Sequence, residues 1–293
     1  MIKENIVSLV DGFTVELNPK VRHKLNSIPL DKKNNVYITY LPDATENDIL
    51  ETVDFVSKQE LTPITHLPAR TMKDLDHVSD FLKELRNRTD SKKILVIGGG
   101  GNQNGSVSSS LEILECGLLK DNDFEEIGIA GHPEGSPDID QNTVNEFLNK
   151  KYELSKDKNL NLELVTQFFF NAEPFIKWCK FLDSSNIKLP VRVGFPGPAS
   201  FKTLLNFGIM SGVGNSLSFL KKNSSKVTDL LTKTSNDEMF IELANFSKEQ
   251  SSFKNFHCFP FGGFEKTCHW LNALQNGDFT MENDKIVLHN KIF

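Results

Sequence analysis

Residues 62–98 decide the fold: TPITHL at 62–67, MKDLDHVSDFLKELRNR at 72–88 and ILVIG at 94–98. The outer pieces are short β-type runs, and in the middle piece apolar residues recur at intervals of three and four, as on one face of a helix. This strand-helix unit repeats in both directions. FTVEL (13–17), VYITY (36–40), EIGIA (126–130), ELVTQFFF (163–170), PVRVG (190–194) and FHCFPF (256–261) read as further strands, while ENDILETVDFVSKQ (46–59) and NTVNEFLNKKYELS (142–155) read as further helices. Strict alternation predicts a parallel sheet. Eight units in a chain of 293 residues favour a closed (β/α)8 TIM barrel over an open doubly wound sheet. The stretch from about 200 to 250 has room for two or three additional helices before the last strand. No linker rich in Pro, Gly or Ser divides the chain, so a single barrel domain over residues 1–293 is expected.

The chain carries 33 Lys and Arg against 39 Asp and Glu, a formal net charge of -6. That balance argues against a general nucleic-acid or anionic-membrane binder, whose surface needs a cationic excess to replace counterions. No apolar run approaches the length that spans a bilayer, and MIKENIVSLV lacks the apolar core of a signal segment. A cytoplasmic protein is the expectation. Cys116, Cys179, Cys258 and Cys268 fit no common zinc spacing and read as reduced, mostly buried thiols. The 23 Phe against 3 Tyr and 2 Trp point to a phenylalanine-rich core.

In a barrel of this kind the chemistry sits at the C-terminal ends of the strands and on the loops that follow them. The strand ends are Glu16, Thr39, His66, the glycines from Gly98 to Gly101, His132, Gln167, Gly194 and the segment Phe259–Gly263. GGGGNQNG at 98–105 matches neither the phosphate-loop pattern nor the dinucleotide pattern. It reads as a flexible turn or as a loop that lets a flat or phosphorylated ligand approach the backbone. Glu16 is either a solvated carboxylate or a general acid in a partly dry mouth. His66, His132 and Glu134 lack any metal-ligand spacing, which favours hydrogen bonds to a polar ligand over a metal site. Gln167 would share a strand face with Val165 and Phe169; its amide can offer a donor and an acceptor to a heterocycle, while the phenylalanines fill core volume.

Taken together, FTVELNP (13–19), THLPAR (65–70), AGHPEGSP (130–137), TQFFF (166–170) and GFPGPASFKTLLNF (194–207) resemble, in order and spacing, the methylenetetrahydrofolate reductase family. The similarity runs from about residue 13 to 275. The resemblance implies a barrel that binds FAD and moves a hydride between a nicotinamide nucleotide, NADH or NADPH, and the one-carbon unit of tetrahydrofolate. It implies that Glu16 is the general acid that protonates N10, that Gln167 and Thr39 contact the folate and that Phe207 stacks on it. Thr39 and His66, together with Gly99, Gly100, Ala130, His132 and Lys151, match positions around the flavin, the last near its phosphates. Partners are thus a tetrahydrofolate derivative and a nicotinamide nucleotide, with a homo-oligomer as the default.

Three stretches depart from the family pattern. Ile97-Gly98-Gly99-Gly100 stands where Leu-Arg-Gly-Asp is usual, His132 replaces a Tyr with Ser136 in place of a His, and the eighth strand ends in FPFGGF at 259–264. Losing a carboxylate beside the flavin would favour its reduced, anionic form and hence oxidation of 5-methyltetrahydrofolate. The same loss leaves open a flavin-free, nicotinamide-dependent folate reductase. A non-catalytic folate-binding barrel is a further alternative, because fold alone does not guarantee chemistry.

Overall fold

Side chains of one parity line the inside of a closed barrel and those of the other meet the surrounding helices. The computed structural model describes residues 2–100, 102–137, 139–211, 213, 237–250, 252–283 and 285–290. Its barrel strands are β1 (Thr14–Leu17), β2 (Val36–Ile38), β3 (Pro63–Pro68), β4 (Lys93–Ile97), β5 (Glu126–Gly131), β6 (Asn161–Thr166), β7 (Val191–Pro196) and β8 (Phe253–Phe259). They pair in sequence order, all parallel, and β8 closes on β1 through Thr14–His257 and Val15–Cys258. The expected (β/α)8 barrel is the observed fold.

The two faces separate in composition. Tyr37, Ile64, Leu95 and Val165 pack together inside the barrel. Val36, Ile38, Ile94, Val96, Leu164, Val193, Phe256 and Cys258, of the opposite parity, join the large core between strands and helices. Below the Tyr37 ring the interior is ionic. Glu163 accepts from Arg192 Nε (2.6 Å), Lys254 Nζ (2.7 Å) and Tyr37 Oη (3.2 Å), so a charged floor replaces the usual apolar layers there.

The helices are α1 (Ile2–Val10), α2 (Glu46–Lys58), α3 (Leu75–Arg88), α4 (Ser110–Glu115), α5 (Leu118–Asp121), α6 (Gln141–Lys158), α7 (Ala172–Ser184), α8 (Phe201–Met210), α9 (Asp237–Phe246) and α10 (Phe264–Gln275). Their starts follow local chemistry: Thr45 and Asp48 form a reciprocal capping box, and Asp74, Asp140, Asn171 and Ser200 cap the helices after them. Both α8 and α9 precede β8, in line with extra helices there; residues 214–236 lie outside the described ones. A two-stranded hairpin, β9 (Phe279–Glu282) with β10 (Lys285–Leu288), follows the barrel. Nothing in the strand-helix alternation of the sequence anticipates it. Lys3 ties it to α1 by donating to the Phe279 carbonyl at 2.7 Å.

One strand is shorter than its sequence suggests. β6 stops at Thr166 instead of running to residue 170. Gln167 N still donates to Gly131 O (3.1 Å), after which the chain leaves the sheet. Phe169 turns outward to stack on Phe175 of α7, whereas Phe168 and Phe170 gather with Val213, so Gln167 and Phe169 do not share a strand face.

Candidate active site

Glu16 occupies the inward parity of β1, one position before the strand ends. Its side chain keeps 17 % of its surface exposed, and its Oε1 lies 3.6 Å from His66 Nε2 of β3 and 3.5 Å from His257 Nε2 of β8. The two imidazoles are far drier, with 9 % and 1 % of their side-chain surface exposed. Burial pushes His66 down to about 4 against the opposing pull of Glu16, so this ring is neutral at physiological pH. Tyr37 of β2 stands edge-on to both rings, its centroid 6.2 Å from His66 and 4.5 Å from His257. Its hydroxyl points away, to Glu163.

Among the described residues the buried side-chain nitrogens His66 Nε2, His257 Nε2 and Gln167 Nε2 have no hydrogen-bond partner. Orphaned buried donors and acceptors are rare in folded proteins, and the two imidazole nitrogens beside the carboxylate mark a place that something bound can complete. Gln167 is held by its backbone against β5 and lies beside Gly194 of β7, where a β-carbon would overlap the carbonyl oxygens of Thr166 and Gln167. Gly194 in turn pairs in register with His257. The bare glycine lets the end of β6 close onto the mouth.

The other expected residues fall into separate groups. Thr39 lies just past β2, its hydroxyl donating to Leu17 O (3.4 Å) at the end of β1. His132, just past β5, and Lys151 of α6 form a second cluster: desolvation pushes Lys151 down to about 8, while desolvation and the charge of Lys151 hold His132 at about 4. Both are half-buried, and Lys151 has no ion-pair or hydrogen-bond partner among the described residues. Ala130 is half-buried at the inward parity of β5. Beyond β4, Gly98 and Gly100 face open space, and Gly99 takes a left-handed φ of 85° with its α-carbon face against Pro68. Backbone bonds tie Gly98 and Asn104 to the end of β3: Arg70 N donates to Gly98 O (2.9 Å), and Asn104 N to Arg70 O (2.8 Å). Lys151 next to His132, and separately the open backbone at Gly98 and Gly100, are features of the kind that receive anionic groups.

Phe207 of α8 is stacked, but on a neighbour. Its ring lies 4.1 Å from that of Phe261 at 16°, within a cluster that also holds Phe168, Phe170, Phe259, Leu204 and Val213. Among the described residues no group of three or more His, Cys, Asp or Glu is placed to hold a metal ion, and His66 and His132 belong to different clusters.

No known family model matches the chain. Among solved structures it is similar to an uncharacterized protein from Clostridium thermocellum that binds two copies of 5-methyl-5,6,7,8-tetrahydrofolic acid. The two are 14 % identical, over 90 % of this chain and 93 % of that one, with a TM-score of 0.58. The likeness is one of fold. N-acetylneuraminate lyase from Fusobacterium nucleatum matches at 10 % identity over 81 % and 80 % of the two chains, with a TM-score of 0.40, and bears on nothing finer. No helix among the described residues is long and apolar enough to cross a membrane.

Sequence reasoning missed His257, Tyr37 and Thr14. Each lies two positions from, and on the same face as, a residue that was singled out: Phe259, Thr39 and Glu16. Period-two extension of the strand ends would have found all three.

Proposed function

We propose that this barrel binds a reduced folate at its C-terminal mouth and interconverts 5,10-methylenetetrahydrofolate and 5-methyltetrahydrofolate, with Glu16 as the proton donor and acceptor. The observation that carries the reading is the largely buried Glu16 carboxyl flanked by the unpartnered nitrogens of His66 and His257. Folate binding by a barrel of the same fold supports it, as do the motifs that resemble methylenetetrahydrofolate reductases. In the reductive direction Glu16 protonates N10 and opens the five-membered ring; in the oxidative direction the same carboxylate takes the proton back. Gln167 has a free amide N–H to orient the pterin, and the Phe207–Phe261 pair offers an aromatic face against which its flat ring can lie.

FAD is the cofactor this reading calls for, and Lys151, His132, Ala130, Thr39 and the backbone of Gly99 and Gly100 are the residues that would hold it. When bound, a flavin supplies the hydride relay between a nicotinamide nucleotide and the folate. The protein's own task is to desolvate the folate's reacting edge and hold a proton at Glu16. A second reading, in which the folate pocket works without flavin, is favoured by residues 97–100, which offer no charged side chain where the family has Arg and Asp.

The test is the visible spectrum of the purified protein before and after anaerobic addition of 5-methyltetrahydrofolate, followed by turnover with an artificial electron acceptor. A flavin spectrum that bleaches is the expected result, and Glu16→Gln should cut turnover by about 10²-fold or more while folate still binds. A colourless protein that binds 5-methyltetrahydrofolate would replace the first reading with the second, and full turnover by Glu16→Gln would remove Glu16 from the chemistry.

A further inference from the structure

His257 is almost completely buried at the mouth, and nothing in the proposed chemistry uses it. Its Nδ1 lies 2.9 Å from Thr14 Oγ1, and its Nε2, buried and unpartnered, faces Glu16 Oε1 at 3.5 Å. The Thr14 hydroxyl has a second neighbour, the Phe256 carbonyl at 3.4 Å, to which its single proton can be donated. A hydroxyl that donates to a carbonyl presents a lone pair to the imidazole, so the ring proton belongs on Nδ1. That leaves Nε2 with a lone pair directed at the carboxyl.

We propose that Thr14 and His257 are a positioning pair for Glu16: Thr14 fixes His257 in the Nδ1–H form, and the bare Nε2 accepts the O–H of the protonated carboxyl and keeps it loaded between turnovers. An acceptor facing a carboxyl favours its neutral form, since two lone pairs repel and an O–H between them attracts. The opposite tautomer would donate to the carboxylate and favour the ionised form, a poor state for a group that must deliver a proton. The inference rests on Glu16 being the proton donor of the proposed function.

The surroundings leave His257 free to do this. Tyr37 of β2 and Phe259 of β8 pack edge-on to its ring at 4.5 Å and 4.9 Å, and neither offers it a hydrogen bond. Its neighbour in register on β7 is Gly194, without a side chain. Among the described residues the other titratable group facing the carboxyl is His66 of β3, held neutral by burial; Cys258 of β8 points to the outer core, where burial keeps its thiol protonated. Glu163 and Arg192 lie on the far side of Tyr37 and pair with each other.

Two measurements on the full chain test the pair. Long-range 1H–15N NMR of protein labelled at histidine reads the tautomer without any assay of activity: a proton on Nδ1 of His257 is expected, and one on Nε2 overturns the proposal. The second is the pH profile of methylenetetrahydrofolate reduction. Thr14→Val frees the imidazole to carry its proton on Nε2 and should move the alkaline limb to lower pH with little change in KM, while Thr14→Ser, which keeps the hydroxyl, should leave it where the wild type has it. His257→Gln, with an amide oxygen for an acceptor, should retain more kcat than His257→Phe, whose loss is expected to be on the order of ten- to a hundredfold. An alkaline limb that Thr14→Val leaves unmoved also overturns the proposal. Failure of the functional reading shows up elsewhere, as full turnover by Glu16→Gln, so the two cannot be confused.

Discussion

A neutral imidazole held in a dry place makes stability depend on pH in a way that can be assigned to one residue. His66 is fully packed between Glu16 and Tyr37, and burial lowers it from its ordinary 6.5 to about 4. The unfolded chain therefore takes up a proton near 6.5 that the folded chain refuses until about 4. Between those values the unfolded state binds more protons, so stability falls as pH falls through this window and is restored as pH rises out of it. For His66 alone the full span is worth about 3 kcal/mol. Most carboxylates are still ionised in the upper half of the window, between pH 6.5 and 5, which isolates the histidine effect there. His132, lowered by burial and by Lys151 to about 4, adds in the same direction. The prediction is that urea midpoints drop from pH 6.5 to 5 and that His66→Gln flattens the drop. An equal drop in the variant would mean that burial of His66 is not its source.

At the scale of elements, the end of β6 shows what a sequence can and cannot disclose. Seven strand-helix boundaries follow from alternation within the strand itself, and they fall within a few residues of the expected places. ELVTQFFF misleads because a run of aromatics has strand-like composition wherever it goes. What stops the strand is not local: Gly194 of β7 admits the Thr166 and Gln167 carbonyls, Thr166 Oγ1 accepts from Gly194 N (2.8 Å) and donates to Gln167 O (2.9 Å), and the turn follows. Glu16, His66 and Gln167 were legible because strand ends are where a barrel places chemistry. The meeting of His257 with Glu16 was not, because only the closure of β8 onto β1 brings the two together, and that closure is a long-range pairing. Gly194→Ala tests the coupling between these strands. Its methyl group must displace the β6 carbonyls, and overpacking of this kind costs roughly 1–3 kcal/mol. Because the displaced residue is Gln167, affinity for 5-methyltetrahydrofolate should fall along with the denaturation midpoint. A variant that loses stability but titrates with folate like the wild type would uncouple Gln167 from the ligand.

Across the whole molecule, the mouth rests on a charged floor, and Tyr37 joins the two: its ring edges His66 and His257 above, and its hydroxyl donates to Glu163 below. Glu163 could be read from its letters only as one more strand residue, since which face of a strand turns inward depends on all eight strands closing together. Burial alone would raise its carboxyl, but the charges and hydrogen bonds of Arg192 and Lys254 outweigh burial and hold it below the ordinary value. Its stabilising contribution is therefore present above about pH 4.5 and lost as pH falls further. The two cations are not equivalent. Lys254 has 38 % of its side-chain surface exposed and can turn to water, whereas Arg192, at 3 %, cannot. Among the described residues, Glu163→Ala would leave the Arg192 guanidinium with only Asn255 Oδ1 (2.7 Å) as a partner and take away the acceptor of the Tyr37 hydroxyl. Removing one partner of a buried ion pair typically costs about 3–5 kcal/mol, whereas replacing both by apolar groups of similar volume is often close to neutral. Glu163→Ala should thus be severely destabilised in urea, and Glu163→Leu combined with Arg192→Met should recover much of the loss. If the double variant is no more stable than the single one, the floor contributes through packing geometry and not through charge. If the recovered protein also regains folate binding, Tyr37 needs the floor only to be filled, and the ionic pair serves the barrel's stability more than its chemistry.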